Sequence, residues 1–374
     1  MKIWHLISNR WNSAISEYAV SMAKATQNLG HEILVTPLKE GPVAGRFQDA
    51  NFKVASVDHF GPAKYGKLST INGHFLPDVI ITYGGPETTA AMFLKGKSKL
   101  VRFHGYKSDD GSLLQAVTKR LGHFHVDTVI VPSNFVAEGL REIFSMAVNV
   151  VTLGCDTEIF HLIENERLPR PELLIFGRLD PVKGHREFFS IFKGLLNLSE
   201  AKSHPRPKLR IVGLPANLSV RHIIEAARTL KISEDDYEIQ CERVANVAEV
   251  MSRVSLGVVS SLGSEVICRV AEEFLLCGTP VVTTGVGSLP ELFVNETFGG
   301  CYGPADGQTQ QGDANNQEEH QKAAVMIYDI LRHSHLENVT ARRARSEEAR
   351  KHFSILKMQQ QLCEILGKAM EQVP

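Results

Sequence analysis

The stretch LGVVSSLGSEVICRVAEEFLLCGTPVVTT, residues 256 to 284, decides the fold. LGVVSS (256–261) and TPVVTT (279–284) are short runs rich in β-branched residues and read as buried strands. The apolar segment between them reads as a helix over 267–276, ended by Gly278 and Pro280. Strand, helix and strand in one run form a βαβ unit, the building block of parallel sheets. The same alternation extends outward. KIWHL (2–6), EILV (32–35), DVIIT (78–82), LVRF (100–103), TVIV (128–131) and VNVVTL (148–153) read as strands of one half. ELLIF (172–176), KLRIVG (208–213) and YEIQ (237–240) join the opening stretch in the other. Helices are predicted over 13–30, closed by Gly30, and over 133–144, capped by Ser133. Further helices are predicted near 185–197, 219–230, 245–252 and 317–332, with one long helical tail over 338–370.

A chain of 374 residues exceeds the roughly 250 to 300 at which one hydrophobic core stops growing, so two domains are expected. The polar, proline-containing run CDTEIFHLIENERLPRPE (155–172) is the expected hinge. Doubly wound domains bind ligands at the carboxyl ends of their strands, which directs attention to a cleft between the two. GPADGQTQQGDANNQEEH (303–320) reads as a surface loop leading into a helix. Lys plus Arg is 41 against 42 Asp plus Glu, a net charge of -1 that gives no reason to expect nucleic acid. The six cysteines are scattered without a C-x-x-C pair, as expected of reduced core thiols in the cytosol. MKIWHLISNRW has too short an apolar run for a signal peptide, and no apolar run of about 18 residues occurs, so the expectation is a cytoplasmic, soluble or peripheral protein.

GRLDPVKGH (177–185) follows a predicted strand and opens a helix, where backbone N–H groups and the helix dipole favour phosphate. It is not a P-loop, because Lys183 precedes Gly184, and no strand is followed by G-x-G-x-x-G, which argues against a nicotinamide or flavin enzyme. Arg178 as a fork and Lys183 as a point charge could grip a diphosphate from two sides; a solvated loop with two exposed basic residues is the alternative. In the opening stretch, Ser264 and Glu265 fall at the expected helix N-terminus, and Glu273 lies about 12 Å further along the axis. An extended ligand with a hydroxyl-bearing ring at each end and phosphates between would use both carboxylates. Among 42 acidic residues such a spacing also arises by chance. No H-E-x-x-H is present and HFH (123–125) reads as a surface feature, so no metal site is expected.

The order of motifs carries more. GRLDPVKGH, then IVG (211–213), then SSLGSEVICRVAEEFLLCGTPVVTTGVGSLPE (260–291) resembles the C-terminal half of the retaining nucleotide-sugar glycosyltransferases called group 1 or family 4. The likeness continues through NLGHEILV (28–35), RFHG (102–105), VIVPSNFVAEGL (129–140) and LGCDTEIF (153–160). It implies an α/β chain of the GT-B fold, with two Rossmann-like doubly wound domains facing a central cleft. Residues 1–160 would be the acceptor-side domain, joined by a helix over 353–374 that crosses back, and residues 161–352 the nucleotide-sugar domain.

By the same resemblance, His104, Glu265, Arg178 and Lys183 are catalytic. Arg178 and Lys183, with Gly177, hold the donor diphosphate; Glu265 and the backbone of Val266, Ile267 and Cys268 hold the transferred sugar; Glu273 holds the ribose. Asn12, Ser13 and Ala14 form an acceptor or phosphate loop, where the family usually carries Gly-Gly, and VIC (266–268) replaces its usual Gly-Phe-Gly. The implied partners are a UDP- or GDP-sugar donor and a glycan or lipid-linked acceptor, with no cofactor and no metal. The implied outcome is transfer with retention, in surface polysaccharide or glycolipid synthesis. An epimerase or phosphorylase of the same fold, or a non-catalytic nucleotide-sugar-binding subunit, are the alternatives. TKRLGHFH (118–125) and ARRARSEEARK (341–351) are basic clusters that could touch anionic lipid or form a solvated, Arg/Glu-paired face.

Overall fold

A computed structural model describes residues 1–11, 13–105, 125–141, 148–165, 168–263, 265–303 and 314–371. The chain divides into two compact units, Met1–Cys155 with Phe353–Pro374, and Asp156–His352.

The first unit is built on seven parallel strands: β1 Lys2–Ile7, β2 Glu32–Pro37, β3 Lys53–Val54, β4 Val79–Thr82, β5 Lys99–Phe103, β6 Thr128–Val131 and β7 Val148–Val150. Their spatial order is β3-β2-β1-β4-β5-β6-β7, so the winding reverses between β1 and β4. Helices α1 Ala14–Asn28, α2 Val43–Asp49, α3 Tyr65–Phe75, α4 Gly85–Leu94 and α5 Asn134–Arg141 make the crossovers. Apart from Lys2, the central strands β1 and β4 are buried along their length, as strands covered by helices on both faces must be. Trp4 is fully buried and its indole N–H donates to Thr36 Oγ1 at 2.8 Å, while Tyr18 of α1 stacks on Phe103 of β5 with ring centroids 4.1 Å apart.

The second unit has six parallel strands: β8 Glu172–Phe176, β9 Lys208–Val212, β10 Tyr237–Gln240, β11 Leu256–Val259, β12 Val281–Thr284 and β13 Gly299–Tyr302. They lie in the order β10-β9-β8-β11-β12-β13, reversing between β8 and β11. Its helices are α6 His185–Ala201, α7 Val220–Thr229, α8 Val247–Arg253, α9 Arg269–Leu276, α10 Ala314–Leu336 and α11 Val339–Phe353. Phe188, Phe189 and Phe192 of α6 and Ile327 of α10 fill the core on one face. On β11, a Cβ at Gly257 would lie 2.6 Å from the Phe274 ring, so the missing side chain lets α9 pack directly on the strand.

Every strand expected from the sequence is present at least in part, VNVVTL only in its first three residues, and β3 and β13 are additional. So are α2, α3 and α4. The tail is two helices rather than one: α11 ends at Phe353 and α12 Ile355–Glu371 follows. α12 packs on α1 within the first unit. Between them Ser354 makes a bridge with Cys155, and the extended backbone this requires interrupts the helix. All six cysteines are free thiols. No helix among the described residues is long and apolar enough to cross a membrane.

Candidate functional site

In the second unit the carboxyl ends of β8 and β11 flank the winding reversal. The chain leaves β8 through Gly177 and an exposed Arg178, which makes no hydrogen bond or ion pair among the described residues. Asp180 then caps a single 3₁₀ turn over Pro181–Lys183: one oxygen accepts the Val182 N–H at 3.2 Å and the other the Asn217 amide at 2.8 Å. Gly184, at φ +65°, turns the chain into α6, and a Cβ there would sit 2.0 Å from the Ser260 carbonyl oxygen, so only glycine fits. Ser260 Oγ donates to the Lys183 carbonyl at 2.8 Å, tying the two strand ends together.

That turn delivers Lys183 to Glu265. Its ammonium forms an ion pair with Glu265 Oε1, which also accepts from Ser261 Oγ. The Glu265 side chain is 5% exposed and that of Lys183 33%, so the pair has one buried and one solvent-reaching partner. The Glu265 carbonyl is held as well, accepting the Ser288 N–H at 2.8 Å. The two basic residues of GRLDPVKGH therefore differ: Arg178 is open to solvent, and Lys183 is committed to an acid that lies 82 positions away in sequence.

The expected helix start needs correction. α9 begins at Arg269, with Cys268 as its N-cap, so Glu265, Val266 and Ile267 precede the helix and the continuous 12 Å axis does not exist. Ser264 lies outside the described residues. The two glutamates nonetheless have separate surroundings. Glu273, in the second turn of α9, is buried and accepts from Arg269 Nε at 2.6 Å, one helical turn back. Burial outweighs that cation and pushes the Glu273 carboxyl up to about 7. Arg269 in turn lies over the Phe160 ring, 5.7 Å from its centroid.

A parallel six-stranded sheet carrying these groups at its reversal point is one half of a familiar pair. Residues 170–311 match the family described as glycosyl transferases group 1. The whole chain superposes on solved structures. Alr3699/HepE from Anabaena, solved in complex with UDP and glucose, gives a TM-score of 0.72 at 18% identity, covering 98% of this chain and 100% of that one. Sucrose-phosphate synthase from Thermosynechococcus elongatus gives 0.71 at 16%, covering 100% of both. The apo lipopolysaccharide outer core galactosyltransferase WaaB gives 0.69 at 15%, covering 98% and 100%. No curated protein sequence gives a significant match. The fold is GT-B.

In the first GT-B unit, His104 is buried directly after β5, with its backbone N–H donating to the Ile130 carbonyl at 2.8 Å. Ser13 is the N-cap of α1 in a reciprocal box with Ser16, and its hydroxyl also accepts the Asn9 amide at 2.7 Å. Ala14 is the first helical residue and is exposed. Where Gly-Gly would leave the backbone open, this chain spends the position on a cap. Asn12 lies outside the described residues, as does most of TKRLGHFH.

Three features escaped the sequence reading. Glu87, in the first turn of α4, is fully buried at the β1/β4 reversal, where one oxygen accepts the Ser8 N–H at 3.1 Å. The Pro86–Glu87 pair is a helix-start signal that could have placed it. His185, at the start of α6, is buried with both ring nitrogens unpartnered among the described residues, and burial lowers it to about 4, so it is neutral. Finally, ARRARSEEARK is not simply a solvated basic face. Arg342 and Arg345 turn inward, Arg342 donating to the Ser252 and Asn165 carbonyls and Arg345 to the Gly278 carbonyl and to Glu337. Arg343 pairs with Glu164 and Lys351 with Glu348.

Proposed function

We propose that the protein is a retaining glycosyltransferase, moving a sugar from a UDP-sugar to a glycan or lipid-linked acceptor in surface polysaccharide or glycolipid synthesis. The observation that carries this reading is the Lys183–Glu265 pair at the sheet reversal, with Arg178 exposed just after β8, inside the segment that matches the group 1 family. HepE, solved with UDP and glucose, and WaaB, a lipopolysaccharide outer core galactosyltransferase, point the same way.

In this reading the donor diphosphate arrives between Arg178 and Lys183, and its charge competes with Glu265 for the ammonium. Glu265 then becomes available to the hydroxyls of the transferred sugar, alongside the backbone of Val266, Ile267 and Cys268. Glu273 accepts from the ribose hydroxyls, and His104 remains a proposed catalytic residue. The acceptor oxygen attacks the anomeric carbon on the face from which the diphosphate departs. The carbon–phosphate-oxygen bond breaks, and the acceptor proton passes to the leaving phosphate oxygen. Arg178 and Lys183 stabilise the charge that develops there, in a site fixed before reaction.

Calorimetric titration with UDP tests the assignment. Lys183→Ala should weaken binding at least tenfold, about 1.4 kcal/mol, and unchanged affinity removes the phosphate role. Glu273→Gln should lower UDP affinity, whereas Glu265→Gln should mainly slow turnover. Incubation with UDP-sugar and no acceptor separates the alternatives: slow release of free sugar marks a transferase, an isomeric sugar an epimerase, and no reaction a binding subunit.

A further inference from the structure

The first unit carries a charge asymmetry that sugar transfer does not use. The chain as a whole balances 41 basic against 42 acidic residues. Residues 62–99, which run through α3, β4, α4 and into β5, instead hold Lys64, Lys67, Lys95, Lys97 and Lys99 against only Asp78 and Glu87. Glu87 is fully buried, so Asp78 is the one acid this segment shows to solvent. Acids from elsewhere answer part of the excess: Asp127 accepts from Lys95 at 3.0 Å and lies 3.9 Å from Lys99, and Asp58 pairs with Lys64 at 2.6 Å. Lys97 is exposed and makes no hydrogen bond or ion pair among the described residues, and Lys67, also exposed, donates only to the Ser56 carbonyl. Lys95, Lys97 and Lys99 line a cavity of about 330 Å³ at the amino ends of β4 and β5, together with Asn72, Leu76 and Asp78.

Two apolar side chains stand out into solvent beside these charges. Leu76, on the cavity, is 67% exposed, and Phe93, in the last turn of α4, is 72% exposed with its ring 5.7 Å from that of Tyr65 on α3. Single exposed apolar residues are ordinary, but Leu76 is disfavoured twice. It caps the C-terminus of α3 at φ +52°, in the left-handed region that glycine or asparagine enters at least cost and a bulky side chain only under strain. Neither the strain nor the exposure is offset by burial in the fold, which directs the side chain to a contact outside it. The Asn72 amide donates to the Leu94 carbonyl at 2.9 Å. Leu76, one turn after Asn72, and Phe93, next to Leu94, therefore belong to one end of the helix pair.

From the excess of lysine, the cavity and the two exposed apolar side chains, we propose that the α3–α4 face is a docking surface for an anionic lipid bilayer. Lys67 and Lys97 meet headgroup phosphates, one phosphate enters the cavity, and Leu76 and Phe93 reach the acyl boundary, which combines the two signals that stable surface attachment requires. All the charge comes from lysine, which is depleted at protein–protein interfaces, so a bilayer fits better than a folded partner. The cavity lies at the opposite end of its sheet from His104, and occupancy of this face is independent of which sugar is transferred.

Flotation of the full chain with lipid vesicles tests the surface. Vesicles of mixed phosphatidylglycerol and phosphatidylcholine should bind the protein at least about tenfold more tightly than pure phosphatidylcholine, and added salt should weaken that binding. Lys97→Ala and Phe93→Ser should each weaken it about fivefold or more. Leu76→Asn should weaken it without lowering the melting temperature, because asparagine tolerates the left-handed cap; a leucine kept for the fold would melt earlier when replaced. Calorimetry with UDP on the same variants should show unchanged affinity, so failure here is distinct from failure of the glycosyltransferase reading. Equal binding to neutral and anionic vesicles, or folded variants that bind like the parent, would overturn the proposal. Displacement by inorganic phosphate at matched ionic strength would assign the cavity to a small anion, and self-association of the protein lost in Phe93→Ser would assign the face to a second copy; either result also overturns it.

Discussion

The two units reverse their winding at equivalent places and put a buried glutamate at each, but they answer its charge differently. In the second unit Glu265 meets the ammonium of Lys183 and the hydroxyl of Ser261. In the first, Glu87 meets the backbone N–H of Ser8, its second oxygen is unpartnered, and no cation lies within ion-pair distance among the described residues. Arg102 on the neighbouring strand acts on it only at longer range, and burial raises the Glu87 carboxyl while lowering the Arg102 guanidinium. The lesson is that one location in the fold can serve two purposes. A mobile ammonium on a half-open turn can be surrendered to a ligand, whereas a backbone N–H cannot move without its strand. On the proposed reading the second reversal serves charge exchange, while the first holds the chain after β1 through the Ser8 N–H.

The sharpest way to break that contrast is at Glu87. Glu87→Ala removes the acceptor for the Ser8 N–H and leaves a void, which should cost about 4 kcal/mol in urea unfolding. Glu87→Gln keeps an oxygen in place and should cost under about 1 kcal/mol. Equal losses from both would mean that charge, not the oxygen, matters, and the two reversals would be alike after all.

Next in size is a pH effect in the second unit. Glu273 is raised in the folded state from its ordinary value near 4.5 to about 7. Below 4.5 both states hold the proton. Between there and 7 the unfolded chain releases it first, so stability should fall as pH rises through this window, by up to about 3 kcal/mol. Glu273→Gln should flatten that part of the stability–pH curve, and a curve of unchanged slope would show that Arg269 keeps the carboxylate ionised.

The smallest expected effect tests the Ser13 cap of α1. Ser13→Ala should destabilise by about 1 kcal/mol and Ser13→Gly by only a few tenths, read as shifts in the urea midpoint. A larger loss for glycine than for alanine would mean that Ser13 acts on the loop before it rather than on α1.

Much of this architecture was legible because parallel strands covered on both faces must be apolar runs, and β1, β4, β8 and β11 are such runs. β13 was not, since Gly299–Tyr302 reads GGCY and is a strand only by its pairing with β12. β3 is two residues long and equally silent. α3 carries Gly66 and Gly73, and α4 opens on Gly85–Pro86, so neither shows a helical stripe strong enough to stand alone. Within the site, the sequence placed Arg178, Lys183 and both glutamates as individual residues. It could not reveal that Lys183 is already paired with Glu265, because that contact joins strand ends that only the sheet order brings together. It also put the start of α9 too early: the apolar VIC run reads as helix, but it lies ahead of the first helical residue, Arg269.

Cys155 N–H donates to the Phe353 carbonyl at 2.8 Å and Ile355 N–H to the Cys155 carbonyl at 3.1 Å, so the chain departs from the first unit and returns to it at the same spot. Topologically, residues 156–352 are a cassette inserted into an otherwise continuous fold. Its two ends are neighbours, and that is the arrangement in which a segment can be lifted out at the gene level and the gap sealed by a short turn.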